Sequence, residues 1–81
     1  MSTLAVKLKP LAHNVMCADD VLSVDLLDGR TIVVPVSWFP TLLNATQSQR
    51  ENWEILGDGE GIHWPDIDED LSVSGLLTGT H

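Results

Sequence analysis

The sequence predicts an α+β fold: a small antiparallel sheet of about four to five strands, arranged as a hairpin or meander, with two or three short helices packed on one side. Three observations carry this prediction. Apolar and polar residues alternate at period two along Val21–Leu27 and frame a β-branched run at Thr31–Val36. Asp28-Gly29 lies between those two runs, which is the strongest short hairpin signal. Beyond Val36 the pattern changes to capping residues followed by apolar ones, the mark of short helices.

Met1 to Leu11 reads as an N-terminal arm that is only partly ordered. Lys7 and Lys9 alternate with Val6 and Leu8, and Pro10 ends the alternation. Asn14 to Ala18 reads as a strand, and Asp19-Asp20 as a tight turn, because Asp tolerates turn geometry. In the next strand Leu22, Val24 and Leu26 share a buried face, and Ser23 and Asp25 point to water. Gly29 supplies the positive φ that the hairpin turn needs. Pro35 lacks an N–H and so suits a strand end.

Ser37 is the expected N-cap of a helix over Trp38–Asn44. The i, i+4 pairs Trp38/Leu42 and Phe39/Leu43 would lie on the sheet, and Asn44 would end the helix in a left-handed conformation. Thr46 and Gln49 match a capping box for a second helix over Gln47–Trp53, with Arg50 and Glu54 as a weak i, i+4 pair. Glu54-Ile55-Leu56 and Ile62-His63-Trp64 read as strands around the glycine-rich turn Gly57–Gly61. Ile62 and Trp64 share one face, and His63 takes the other. Pro65 stops the second strand. A last helix over Leu71–Leu77 would be capped by Asp70 or Ser72, with Asp68, Glu69 and Asp70 near its positive end, Val73, Leu76 and Leu77 facing the sheet, and Gly79 beyond it.

Eighty-one residues, 43% apolar and 20% charged, make one folded domain over 1–81. A chain this short buries roughly 60–65% of the surface its unfolded form exposes, so a homodimer or a tight partner would add useful burial. Twelve carboxylates against four Lys or Arg give a net charge of -8. That balance opposes direct nucleic-acid binding, which depends on cations meeting phosphates, and favours a basic protein partner. It also keeps a small protein soluble. The single cysteine, Cys17, has no internal partner for a disulfide and sits in an apolar run. No apolar run suits a signal peptide or a membrane span, so the expected compartment is the cytoplasm and no membrane contact is expected.

No cofactor is expected, and no complete catalytic constellation is present. Asp66, Asp68 and Asp70 match the start of a calcium loop, but Leu71 replaces its glycine and Leu77 its bidentate Glu. Helix capping and solvation account for these acids more simply. His63, facing Asp66 across Pro65, is a candidate general base, yet no nucleophile motif accompanies it. The turn Gly57–Gly61 carries two acids and no Lys, which rules against phosphate. Trp38, Trp53 and Trp64 divide between core and interface anchors.

Four blocks carry a family resemblance. They are Asp28-Gly29-Arg30-Thr31-Ile32; Ser37-Trp38-Phe39-Pro40-x-Leu42-Leu43-x-Ala45-Thr46; Arg50-x-Asn52-Trp53-Glu54-x-x-Gly57; and Gly61-Ile62-His63-Trp64-Pro65-Asp66-x-Asp68-Glu69-Asp70-Leu71-Ser72-Val73-x-Gly75-Leu76-Leu77. Over Ala12 to Gly79 the chain resembles the bacterial domain-of-unknown-function family 2442. The resemblance implies a small α+β domain, in some members fused to a helix-turn-helix. It also implies an antitoxin-like member of a two-gene pair, with a second small protein as partner and control of its own operon. The family brings no established catalytic residues. Within these 81 residues no appended helix-turn-helix is expected.

The residues and the resemblance together lead to a non-enzymatic, acidic interaction module that neutralises a basic partner by occlusion. The expected partner-binding residues are Trp38, His63, Trp64, Asp66, Asp68, Glu69 and Asp70. The alternatives are a small metal-dependent or carboxylate/His enzyme using His63, Asp66, Asp68 and Asp70, and a DNA-mimic inhibitor.

Overall fold

Two meanders, each of three antiparallel strands, are joined by a helical corner. The computed structural model describes residues 10–79, so the expected arm over 1–11 lies almost wholly outside the described residues. The first sheet holds β1 (Ala12–Cys17), β2 (Val21–Leu26) and β3 (Thr31–Pro35) in that order. The corner consists of one 3-10 turn (Val36–Trp38) followed by α1 (Pro40–Leu43) and α2 (Gln47–Glu51). The second sheet holds β4 (Glu54–Leu56), β5 (Gly61–Trp64) and β6 (Glu69–Ser72), and α3 (Val73–Thr78) follows. The class is α+β as expected. The strands number six, and they form two sheets where one of four to five strands was expected.

The period-two reading of β2 holds: Leu22, Val24 and Leu26 are all buried. The hairpin turns at Asp28-Gly29, with Gly29 at φ 96° and the Asp28 carboxylate accepting from the Arg30 backbone N–H at 3.0 Å. In β1 the alternation breaks. Ala12 and Val15 are both buried although three residues apart, because the register shifts between Ala12 and Asn14. A bulge inserts one residue and so returns the next apolar side chain to the inner face.

Inner-face residues of both sheets meet in one core. Leu22, Val24 and Leu26 from the first sheet and Ile62, Trp64 and Leu71 from the second pack with Val36, Phe39, Leu42, Val73 and Leu76. The Leu11–Ala12 backbone ties the sheets together. Leu11 accepts from the Leu27 N–H at 2.8 Å, and Ala12 donates to the Gly59 carbonyl at 2.8 Å. Gly59 has φ 116°, and a Cβ there would lie 2.5 Å from the Ala12 carbonyl oxygen, so the approach requires glycine.

Several local expectations change. The predicted Trp38–Asn44 helix is split, because Phe39 caps α1 without a side-chain bond and Pro40 starts it. Ser37 therefore caps nothing. Phe39 and Leu42 enter the core, but Trp38 and Leu43 are exposed, as the short helix turns only one stripe inward. Asn44 is not left-handed; its side chain instead donates to the Pro40 carbonyl at 3.0 Å. The Thr46/Gln49 capping box is present in full. Arg50 does not reach out to Glu54. It is buried, and its guanidinium closes the open end of α1 through the Leu42 and Leu43 carbonyls, at 3.0 and 2.9 Å. Ser72 caps α3, Gly79 ends it, and Leu77 faces outward instead of toward the sheet.

Candidate functional site

Strand register assembles the site on the outer face of the second sheet. Ile55, Ile62 and Leu71 align on one side of β4, β5 and β6. One residue along in register, Glu54, His63 and Asp70 therefore form a cross-strand row on the other side. His63 Nδ1 and Asp70 Oδ1 form a hydrogen-bonded ion pair. This bond, helped by the charges of Glu54 and Asp68, raises the His63 pKa above its ordinary 6.5 against the opposing effect of desolvation.

The acidic stretch is a hairpin turn and a strand, and it does not cap a helix. Pro65 to Asp68 form the turn between β5 and β6, with the Ile67 N–H donating to Trp64. Asp68 takes φ 52°, a left-handed conformation that Asp tolerates better than most residues. Glu69 and Asp70 then enter β6 and pair with Trp64 and His63. Partial burial pushes the Glu69 carboxyl up, and the Asp70 charge adds to that. Asp66 accepts from the Asn52 side chain at 3.1 Å. His63 thus faces Asp70 rather than Asp66, because extended strands bring register partners together and the Pro65 turn carries Asp66 away.

Trp64 does not belong to a contact surface. It is fully buried, and its indole N–H donates to the Arg50 carbonyl at 3.0 Å. Trp38 is exposed, edge-on to Phe39, and belongs to the corner after the first sheet. His63, Asp68 and Asp70 come together, while Asp66 turns to Asn52. Among the described residues no three His, Cys, Asp or Glu side chains are placed to hold a metal ion. Glu54 is the member of the row that the sequence reading missed. Its signal was the outward phase of Glu54-Ile55-Leu56 combined with the register set by the Gly57–Glu60 turn.

The charge of the segment that builds the second sheet is one-sided. From Glu54 to Ser72 the chain carries seven carboxylates and no Lys or Arg. Both arginines of the described residues are engaged elsewhere, Arg30 with Asp28 at 2.7 Å and Arg50 with Asp19 at 2.8 Å. A shallow groove of about 490 Å³ beside the row runs along Leu56, Gly61 and Ser72 and is edged by Glu60 and Asp70. Such a surface repels anions and receives cationic side chains.

These features define a small α+β domain with an anionic sheet face. A family model described as "Protein of unknown function (DUF2442)" matches residues 12–81, and the chain belongs to that family. Two solved structures are similar. One is a crystal structure of a protein of unknown function from Rhodospirillum rubrum, 35% identical, covering 89% of each chain with a TM-score of 0.76. The other is a solution NMR structure of an uncharacterized protein from Chromobacterium violaceum. It is 25% identical and covers 95% of this chain and 72% of that one, with a TM-score of 0.74. No curated protein matches. No helix among the described residues is long and apolar enough to cross a membrane.

Proposed function

We propose that this chain is a protein-interaction module that docks the outer face of its second sheet onto a basic surface of a small partner protein. In the antitoxin-like form of this reading, the partner is the product of a neighbouring gene and is neutralised by occlusion. The observation that carries the proposal is the run of seven carboxylates over Glu54–Ser72 with no Lys or Arg among them. The Glu54–His63–Asp70 row gives that charge a flat and ordered platform. Opposite charge steers the encounter, and the rigid sheet limits the entropy lost on docking.

Co-expression with the neighbouring gene product, followed by size-exclusion chromatography at micromolar concentration, tests the reading. A complex that co-elutes at low salt and weakens as salt rises supports it. Separate elution of two folded proteins overturns it.

A further inference from the structure

We propose that the groove across the second sheet takes this chain's own segment Val6–Lys9, which thereby shields the anionic face from a partner. The docking stands by itself; the shielding rests on the partner reading above.

Strand register makes the groove. Leu56, Gly61 and Ser72 form a cross-strand row next to Glu54–His63–Asp70 and on the same side of the sheet. Gly61 has no side chain, so the row dips between Leu56 and Ser72, and Leu56 stands 40% exposed at the edge of the dip. A second hollow of about 430 Å³ shares Glu60 and Ser72 with the first and continues past Val73 to Pro10 and Leu11. The joined groove has apolar walls at both ends and the carboxylates of Glu60 and Asp70 at its rim.

The place where the described chain begins selects the occupant. The Ala12 N–H bond to the Gly59 carbonyl, at 2.8 Å, fixes the entry of the chain beside Glu60, and Leu11 and Pro10 then line the groove itself. Residues 1–9 precede them. That segment carries Lys7 and Lys9, two of the four Lys or Arg in the sequence, alternating with Val6 and Leu8. The other two cations, Arg30 and Arg50, are held by Asp28 and Asp19. Val6 and Leu8 share one side of an extended segment and fill the dip, while the long lysine stems reach back to the carboxylates at the rim. The reach suffices: Val6 is five residues before Leu11, roughly 17 Å of extended chain, against about 10 Å across the three-strand row. A tether this short gives an effective concentration of about 1 mM, far above that of a second copy in a micromolar solution.

NMR of the full chain at micromolar concentration, with no partner added, tests the docking. The expected result is NOEs from the Val6 and Leu8 methyls to Leu56 and Val73 that persist on dilution. Lys7→Gln with Lys9→Gln is expected to move the amide shifts of Glu60, Gly61, Ser72 and Ser74, and high salt to move the wild-type shifts the same way. Absence of those NOEs in wild type overturns the proposal, as does a folded double variant whose shifts at the groove match wild type. Contacts that fade on dilution belong to a second copy and overturn it too. For the shielding, Val6→Ser with Leu8→Ser leaves the charge unchanged and is expected to let the co-expressed neighbouring gene product bind several-fold more tightly. Equal affinity overturns the shielding. No complex with either chain removes the partner reading and the shielding with it, while the NOEs still decide the docking.

Discussion

Trp64 donates its indole N–H to the backbone carbonyl of Arg50 across 3.0 Å, inside the core. The Arg50 side chain points the other way and binds the last carbonyls of α1. One residue of α2 is thereby fixed to β5 through its main chain and to α1 through its side chain. These helices are only four and five residues long, too short to be stable alone. Arg50 and Trp64 hold the corner that sets one sheet against the other.

Arg50→Lys is expected to destabilise the fold by about 1–3 kcal/mol, because an ammonium cannot span the buried Leu42 carbonyl and the partly buried Leu43 carbonyl as the guanidinium fork does, and one of them is left over. The Asp19 ion pair contributes little to that loss, since the Asp19 side chain is 96% exposed. Asp19→Asn should therefore cost under about 1 kcal/mol. Urea denaturation of both variants checks the contrast. Equal losses would place the energy in the ion pair and contradict the account.

Trp64→Phe keeps most of the ring but removes the donor to Arg50. The buried carbonyl then lacks its partner, at a cost of about 1–3 kcal/mol, on top of the smaller volume. Thermal unfolding is the measurement. A variant as stable as wild type would show that the carbonyl finds another donor.

Much of this architecture is legible in the sequence where a local rule fixes it. Asp28-Gly29, the alternation of Leu22, Val24 and Leu26, and the Thr46/Gln49 box each depend on a few adjacent residues, and each appears as read. What was not legible is set by distant contacts. Arg50 reads as a surface residue until the ends of α1 are known to need donors. Asp68-Glu69-Asp70 reads as the start of a helix, because its acids suit a positive helix end. Pairing with β5 overrides that preference and draws Glu69–Ser72 into a strand. The candidate site follows the same division: the period of β5 gave His63 its outward side, but only the register drew Asp70 into a strand and made it and Glu54 the partners of His63.

Gly59→Ala should be far more damaging than Gly29→Ala. At Gly59 the new methyl meets the backbone of Ala12, 2.5 Å from its oxygen and 2.9 Å from its nitrogen, at the bond that joins the sheets. At Gly29 nothing lies within 4 Å, and only the positive φ opposes a side chain. The expected losses are about 1 kcal/mol at Gly29 and several-fold more at Gly59. Chemical denaturation of the two variants decides, and similar losses would mean that the Leu11–Ala12 backbone yields readily.

The pH dependence follows from the His63–Asp70 pair. Because the folded pKa of His63 lies above 6.5, protonation favours the folded state. Its stabilising contribution is complete below the ordinary His value and is lost as pH rises through the raised folded value. The stability difference between wild type and His63→Gln should shrink over that window. An NMR titration of the imidazole should give a value above 6.5 in wild type, and a lower one in Asp70→Asn, which removes the largest cause of the shift. A wild-type value at or below 6.5 would show that the pair does not persist in solution.

Charge on the second sheet should matter for the partner and little for the fold. Glu54 and Asp68 are exposed, and the nearest ionic demand on either comes from His63. Neutralising both, as Glu54→Gln with Asp68→Asn, should change unfolding stability by less than about 1 kcal/mol, because exposed charges contribute little. Asn also accepts the left-handed backbone at position 68. Association with a basic partner should nevertheless slow by about tenfold or more at low salt, and the difference from wild type should fade near 0.5 M salt as screening shortens the reach of the field. Dissociation should change less, because steering acts before contact. Stopped-flow or surface-binding kinetics at two salt concentrations separate these effects. If the double variant loses affinity through dissociation alone, independently of salt, then the carboxylates act as local contacts and long-range attraction is not what brings the partner in.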